Sequence, residues 1–198
     1  MRATVVVIFS LFLMVSSNVE DFSTAHAIES PVFSQVLPGY IYQFPKDFNS
    51  HDDFRFEWWY YTGNLEEIET ARSFGYQLTF FRVALNNEGA NLNESQWKLG
   101  HVYFAHMTLT DIDGEKFYYF ERINRKGVGN AGANADRLMV WNEDWFLEGK
   151  GKMHSLKALE SGTGIELQLV PEKKMVIHGN NGISKKGSEK GNASHYFS

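Results

Sequence analysis

The feature that most constrains this chain is a series of short runs in which residues alternate with a period of two. Phe54 to Tyr61 and Phe74 to Val83 are two of these runs, and both are rich in aromatic residues. Alternation and aromatic enrichment are typical of β-strands. After residue 27 no stretch of ten or more residues shows the 3.6-residue period of a helix. The sequence therefore predicts an all-β chain.

Turn-forming residues separate the runs. Thr62-Gly63-Asn64 ends the first run, and Lys126 to Ala135 is rich in Gly, Asn and Ala and is predicted to be a loop. Asp111 to Gly114 (DIDG) lies between two runs and predicts a β-hairpin. The later runs are His101 to Asp111, Lys116 to Ile123, Leu138 to Trp141, Trp145 to Gly149, Met153 to Leu159 and Ile165 to Val170. Short strands without helices between them favour an antiparallel barrel or sandwich.

Composition and charge exclude several classes of protein. Aromatic residues make up 15% and hydrophobic residues 43% of the 198 positions, which excludes a disordered chain. The net charge of -5 offers no basic surface for nucleic acid. The chain has no cysteine, which excludes disulfides, thiol nucleophiles, cysteine-ligated metals and a lipoprotein anchor.

Residues 1–27 resemble a secretory signal peptide. Arg2 precedes an apolar run from Ala3 to Val15, which is too short to span a bilayer core of about 30 Å as a helix. Ala25-His26-Ala27 fits an A-x-A cleavage site. An uncleaved N-terminal anchor is the alternative. Both interpretations place the rest of the chain outside the cytoplasm, and cleavage after Ala27 predicts a periplasmic or secreted protein without a stable membrane anchor.

Glu57 is the residue in the first run that suggests chemistry. It lies beside Trp58 and Trp59, and an apolar setting raises the pKa of a carboxyl group so that it can serve as an acid. The alternative is a structural ion pair with Arg55 or Arg82.

The histidines do not predict a metal site. His101 and His106 are an odd number of residues apart and face opposite sides of one strand, as do His106 and Asp111. A zinc site made of histidines alone would need three side chains from distant strands. Gly127 to Gly132 matches G-x-G-x-x-G, but no helix pattern follows it, so no dinucleotide site is predicted.

The C-terminal residues begin a pattern that stops. Residues 178–198 are predicted to be a polar linker followed by a strand, Ala193 to Ser198. Because no partner strand is evident, we expect this edge to be unpaired within the chain and able to drive self-association.

Six blocks of the sequence carry a resemblance to a known family. They are FEWWYYTGNL (56–65), FGYQLTFFR (74–82), AHMTLTD (105–111), FYYFER (117–122), NEDWFLEG (142–149) and HGNNGISKKGSEKGNASHYFS (178–198). In content and order these blocks resemble the AttH-like secreted proteins and the carotenoid 1,2-hydratases (hydroxyneurosporene synthase, CrtC).

The resemblance implies a lipocalin-like antiparallel β-barrel, the first of two in tandem, with the second one truncated. Its expected divisions are a signal peptide (1–27), an N-terminal extension (28–53), the barrel (54–177) and the linker with the first strand of a second barrel (178–198). In the hydratases, water adds across a carbon–carbon double bond without an organic cofactor. The Asp and His linked to that step lie in the second barrel and have no counterpart here.

Two functions follow from these features. The first is binding of an apolar lipid or isoprenoid ligand without a cofactor or metal, because lipocalin-type barrels hold small apolar ligands. The alternative is the N-terminal part of a hydratase-type enzyme. Trp58, Tyr60, Phe80 and Tyr103 are interpreted either as ligand wall or as core. The full set of candidate ligand-binding residues is Glu57, Trp58, Tyr60, Gln77, Phe80, Arg82, Tyr103 and His106.

Overall fold

The computed structural model describes residues 33–85, 100–126, 129–188 and 192–198, which include a four-stranded antiparallel sheet. We call it the first sheet, and its strands are paired in chain order. They are β1 (Phe56–Glu66), β2 (Ser73–Ala84), β3 (His101–Asp111) and β4 (Lys116–Arg125). The predicted signal peptide and the cleavage site lie outside the described residues.

A second antiparallel sheet has five strands, again in chain order. They are β5 (Ala131–Ala133), β6 (Met139–Asn142), β7 (Trp145–Lys150), β8 (Met153–Glu160) and β9 (Thr163–Leu169). A separate two-stranded hairpin consists of β10 (Ile183–Lys185) and β11 (Ala193–His195). The only helical element among the described residues is a single 3-10 turn at Lys46–Phe48.

The core lies between the first and second sheets. The first sheet contributes Trp59, Tyr76, Leu78, Phe80, Ala105 and Met107, and the second sheet with its flank contributes Leu138, Val140, Trp145, Leu147, Leu156, Ala158 and Ile165. These side chains alternate along their strands with more exposed ones, as expected when one face of each sheet is buried. Asn142 also joins the sheets, because its amide donates to the carbonyl of Tyr103 over 3.2 Å.

This architecture confirms the predicted all-β class, the antiparallel pairing and the hairpin at Asp111 to Gly114. Two expectations stay predictions, namely that the strands close into a barrel and that a second barrel follows. None of the helices in the described ranges is long and apolar enough to cross a bilayer.

Two glycines show where the strand predictions were wrong. β1 does not end at Thr62 but continues through Gly63 to Glu66, because the missing side chain leaves room for the ring of Tyr76, whose Cε1 would lie 3.1 Å from a Cβ at this position. The predicted loop before Leu138 contains β5. Its Gly132 lies under the Trp141 ring, where a Cβ would approach within 2.5 Å.

The C-terminal segment has partners within the chain, so the expectation of an unpaired edge is wrong. Within the predicted linker, β10 pairs with β11, and the backbone of Ser198 exchanges two hydrogen bonds with that of Val176. The sequence could not show this, because the partner strand is short and lies among glycine and asparagine residues. Self-association of the chain stays a prediction.

Aromatic side chains hold this hairpin against residues 40–48. We call this group the aromatic cluster, and it consists of Tyr40, Tyr42, Phe44, Phe48, His195 and Phe197. The rings of Phe44 and Phe197 pack edge to face with centroids 4.9 Å apart. Tyr196 adds a contact to the first sheet, because its hydroxyl lies 2.5 Å from that of Tyr60. The hairpin is thus part of the same folded unit as β1.

Candidate functional site

The structure divides the eight candidate residues between the two faces of the first sheet. Cross-strand partners share a face, and Glu57 is paired with Arg82 and Trp58 with Phe81. The inner face carries Glu57, Phe80, Arg82 and Tyr103, and the outer face carries Trp58, Tyr60, Gln77 and His106. These residues therefore cannot line a single pocket. Phe80 and Tyr103 are fully buried, which favours the core interpretation for both.

Glu57 and Arg82 form a buried ion pair where β1 begins and β2 ends. Arg82 is 0% exposed, and its Nε donates to Oε2 of Glu57 over 3.3 Å. Its Nη2 donates to the carbonyls of His51 and Phe54 over 2.7 and 2.9 Å. The structural ion pair expected as the alternative role of Glu57 is present, with Arg82 as the partner.

A histidine missed by the sequence analysis completes this group. Nδ1 of His51 lies 2.7 Å from Oε1 of Glu57, and its Nε2 lies 3.5 Å from Oδ1 of Asp47. Asp52 lies 3.8 Å from Arg82 and also pairs with Lys126 over 3.4 Å. We call Asp47, His51, Asp52, Glu57 and Arg82 the His51 cluster.

The His51 cluster attaches residues 47–57 to the end of the first sheet. The Glu57 carboxylate accepts hydrogen bonds from the backbone N–H of His51 and from the hydroxyl of Ser50, in addition to those from the His51 ring and Arg82. Hydrogen-bond donors of the protein therefore face both of its oxygens. This arrangement argues against Glu57 as an acid toward a substrate.

The pKa of His51 is raised, first because its ring is hydrogen-bonded to Glu57 and further because of Asp47, against the lowering effect of burial. The protonated ring therefore stabilises the folded state fully below the unfolded pKa of about 6.5, and this contribution is lost as the pH rises through the folded pKa. We expect His51→Gln to be more destabilising at pH 5.5 than at pH 9, as measured by urea unfolding of both proteins at each pH.

Two other histidines affect the pH dependence of stability in the opposite direction. Burial lowers the pKa of His154 and of His195, so both favour the folded state less as the medium becomes acidic. His154 acts equally in the wild type and in the variant, so its effect cancels when the two proteins are compared at one pH. The pKa of His195 is also lowered by the charge of His51, so His51→Gln relieves this repulsion at acidic pH and partly offsets the expected difference. An equal loss of stability at pH 5.5 and pH 9 would contradict the charged role of His51.

The outer face of the first sheet carries a continuous apolar strip. Trp58, Phe81, Phe104 and Ile123 are cross-strand neighbours on the four strands, and we call them the outer aromatic row. Neighbouring strands lie about 4.8 Å apart, so the row extends for about 14 Å. Ile123 is 57% exposed, and Phe56 beside the row is 55% exposed. Soluble monomers rarely expose large contiguous apolar areas without a function.

A polar group adjoins the outer aromatic row. His106 packs edge to face on Phe81 with ring centroids 5.3 Å apart, and its Nε2 lies 4.0 Å from Oε2 of Glu121. The same carboxylate accepts a hydrogen bond of 2.7 Å from the hydroxyl of Tyr119. The outer face thus offers apolar surface with hydrogen-bonding groups at one side.

The sequence analysis missed residues of both the His51 cluster and the outer aromatic row. His51 and Asp47 belong to a segment without strand periodicity, and nothing in the sequence places them beside Glu57. Phe81 and Phe104 carried a usable signal, because both alternate with buried residues on strands that were predicted correctly. In the described part of the chain, no group of His, Asp and Glu side chains is arranged to hold a metal ion.

Comparisons with known proteins agree with this fold. The model of the AttH-like family matches residues 35–198. The crystal structure of an AttH-type protein from Nitrosomonas europaea is similar, with a TM-score of 0.72 and 30% sequence identity over 83% of this chain. The match covers 48% of that protein, so the present chain spans about half its length. No curated protein matches. On this evidence, the chain is a member of the AttH-like family.

Proposed function

We propose that this protein binds an apolar ligand, a lipid or an isoprenoid, on the outer face of its first sheet. The observation that carries the proposal is the outer aromatic row, a strip on the outer side of all four strands in which the three aromatic rings are partly exposed and Ile123 is exposed. Burying one such side chain contributes about 1.5–3 kcal/mol, so a ligand that covers several of them gains substantial affinity.

The inner face is less suited to this role. Leu78, Phe80, Met107 and Trp145 are at most 1% exposed and belong to one packed core. A ligand between the sheets would have to displace these side chains from one another. Binding on the outer face of the first sheet needs no such displacement of core side chains. Export to the periplasm or beyond and the hydratase activity stay predictions, and no contact of the His51 cluster favours that activity.

The proposal is tested with cis-parinaric acid, a fluorescent polyene fatty acid that accepts energy from tryptophan. We expect the purified protein to bind it and to show energy transfer from its tryptophans, one of which, Trp58, lies in the outer aromatic row. Phe104→Ser removes the ring at the middle of the row and should weaken binding about tenfold or more, since a lost contact of 1.4 kcal/mol corresponds to tenfold.

Phe117→Ser is the matched control. Phe117 is exposed on the same face, and its cross-strand partner is Thr110, six residues along β3 from Phe104. The two sites are therefore about 20 Å apart, at about 3.4 Å per residue. The control should bind like the wild type. Equal weakening by both substitutions, or no binding to folded wild type, would contradict the proposal.

A further inference from the structure

We propose that the ligand is a long-chain carboxylate whose charged end lies at Lys186, with its chain along the outer aromatic row. This inference rests on the proposed function and adds the chemical class and the orientation of the ligand. Its basis is the position of a lysine at one end of the row.

Lys186 is held over the beginning of the outer aromatic row. Its Nζ lies 6.0 Å from the ring centroid of Trp58, which is the member of the row on β1. The backbone N–H of Lys186 donates to the carbonyl of Asn192 over 2.9 Å, next to the β10–β11 pairing. Tyr196 attaches the same hairpin to Tyr60 on the outer face of β1. The hairpin therefore places one ammonium group at the β1 end of the row.

The charged side chains near the β1 end of the outer aromatic row favour binding of an anion there. Within residues 33–85, 100–126, 129–188 and 192–198, no carboxylate forms an ion pair with Lys186. The guanidinium of Arg55 lies 5.4 Å from the ring centroid of Phe56, the residue that flanks the row on β1. The carboxylate on the outer face of β4, Glu121, is directed toward Tyr119 and His106, at the other side of the sheet.

The shape of the surface favours a linear molecule with a single charge. The row extends for about 14 Å from β1 to β4, and its far end is the exposed aliphatic side chain of Ile123. The ammonium group of a lysine acts as a point charge, and a single carboxylate is enough to pair with it. A fatty acid fits both features, because its carboxylate can pair with Lys186 while its chain covers the aromatic rings.

The test compares two ligands that differ only at the end group. Isothermal titration at pH 8 measures the binding of dodecanoate and of dodecanol, each below its aggregation concentration. We expect the wild type to bind dodecanoate about tenfold more tightly, as a charge-assisted contact allows. Lys186→Gln should bind the two ligands equally. Lys185→Gln removes the same charge one residue earlier and should keep the preference.

The outcomes separate the two proposals. If the wild type binds both ligands with equal affinity, the carboxylate assignment is wrong while the apolar site stands. If Lys185→Gln loses the preference as fully as Lys186→Gln, the charge of the hairpin acts at long range and the assignment to Lys186 is wrong. If the folded protein binds neither ligand, the proposed function fails, and this inference fails with it.

Discussion

Replacing Arg82 with methionine is expected to lower the free energy of unfolding by about 3–5 kcal/mol, the usual cost of breaking a buried ion pair. The substitution leaves the largely buried Glu57 carboxylate without its arginine and removes the donors to the carbonyls of His51 and Phe54. Urea unfolding followed by circular dichroism measures the loss.

Arg72→Met is the matched control for this prediction. Arg72 also pairs with a carboxylate, Asp111, over 2.6 Å, but its side chain is 46% exposed. Ion pairs of this kind contribute about 0–1 kcal/mol. If both substitutions lower the free energy of unfolding by the same amount, burial does not make the ion pair of Arg82 more important for stability than that of Arg72. The double variant Arg82→Met, Glu57→Leu should recover part of the loss, because the buried carboxylate that lost its arginine is removed as well.

Trp145→Ala is expected to lower the free energy of unfolding by about 3–5 kcal/mol, as for other large aromatic residues in a core. Trp145 on β7 is 0% exposed, and its indole N–H donates to the carbonyl of Leu159 over 3.0 Å. The guanidinium of Arg122 lies 4.4 Å from its ring centroid, so the ring also supports a charge from the first sheet. Thermal and urea unfolding report the change.

Trp141→Ala provides the comparison on the neighbouring strand β6. Trp141 is only partly buried, and its N–H donates to the exposed carbonyl of Gly129. We expect Trp141→Ala to lower the free energy of unfolding clearly less than Trp145→Ala does. If Trp141→Ala lowered the free energy of unfolding more than Trp145→Ala, the assignment of the Trp145 face of the second sheet to the core would be wrong.

Most of the strand pattern was predictable from local sequence, because alternation needs no knowledge of distant residues. β3 has the predicted ends, and β4 begins as predicted. Apart from the short strand β10, the errors occur where a glycine lies under a ring, at Gly63 and Gly132. There the deciding contact comes from another strand, and the local sequence resembles a turn.

The candidate site was predictable only in part. The pairing of Glu57 with Arg82 was one of two ion pairs considered, and the register of β1 and β2 decides for it. His51 and Asp47 reach this pair from an irregular segment whose course depends on tertiary contacts. The division of the candidates between two faces also required the register, although residue parity along β1 already separates Glu57 from Trp58.

The aromatic cluster implies an order of events when the chain folds. Tyr42 and His195 are 153 residues apart in sequence, yet the hydroxyl of one lies 3.3 Å from Nδ1 of the other. Bringing such distant segments together costs chain entropy that the short hairpins of the first sheet do not incur. The cluster is therefore expected to form after the sheets. Contacts made that late change the rate of unfolding more than the rate of folding, so weakening this cluster is expected to shorten the lifetime of the native state.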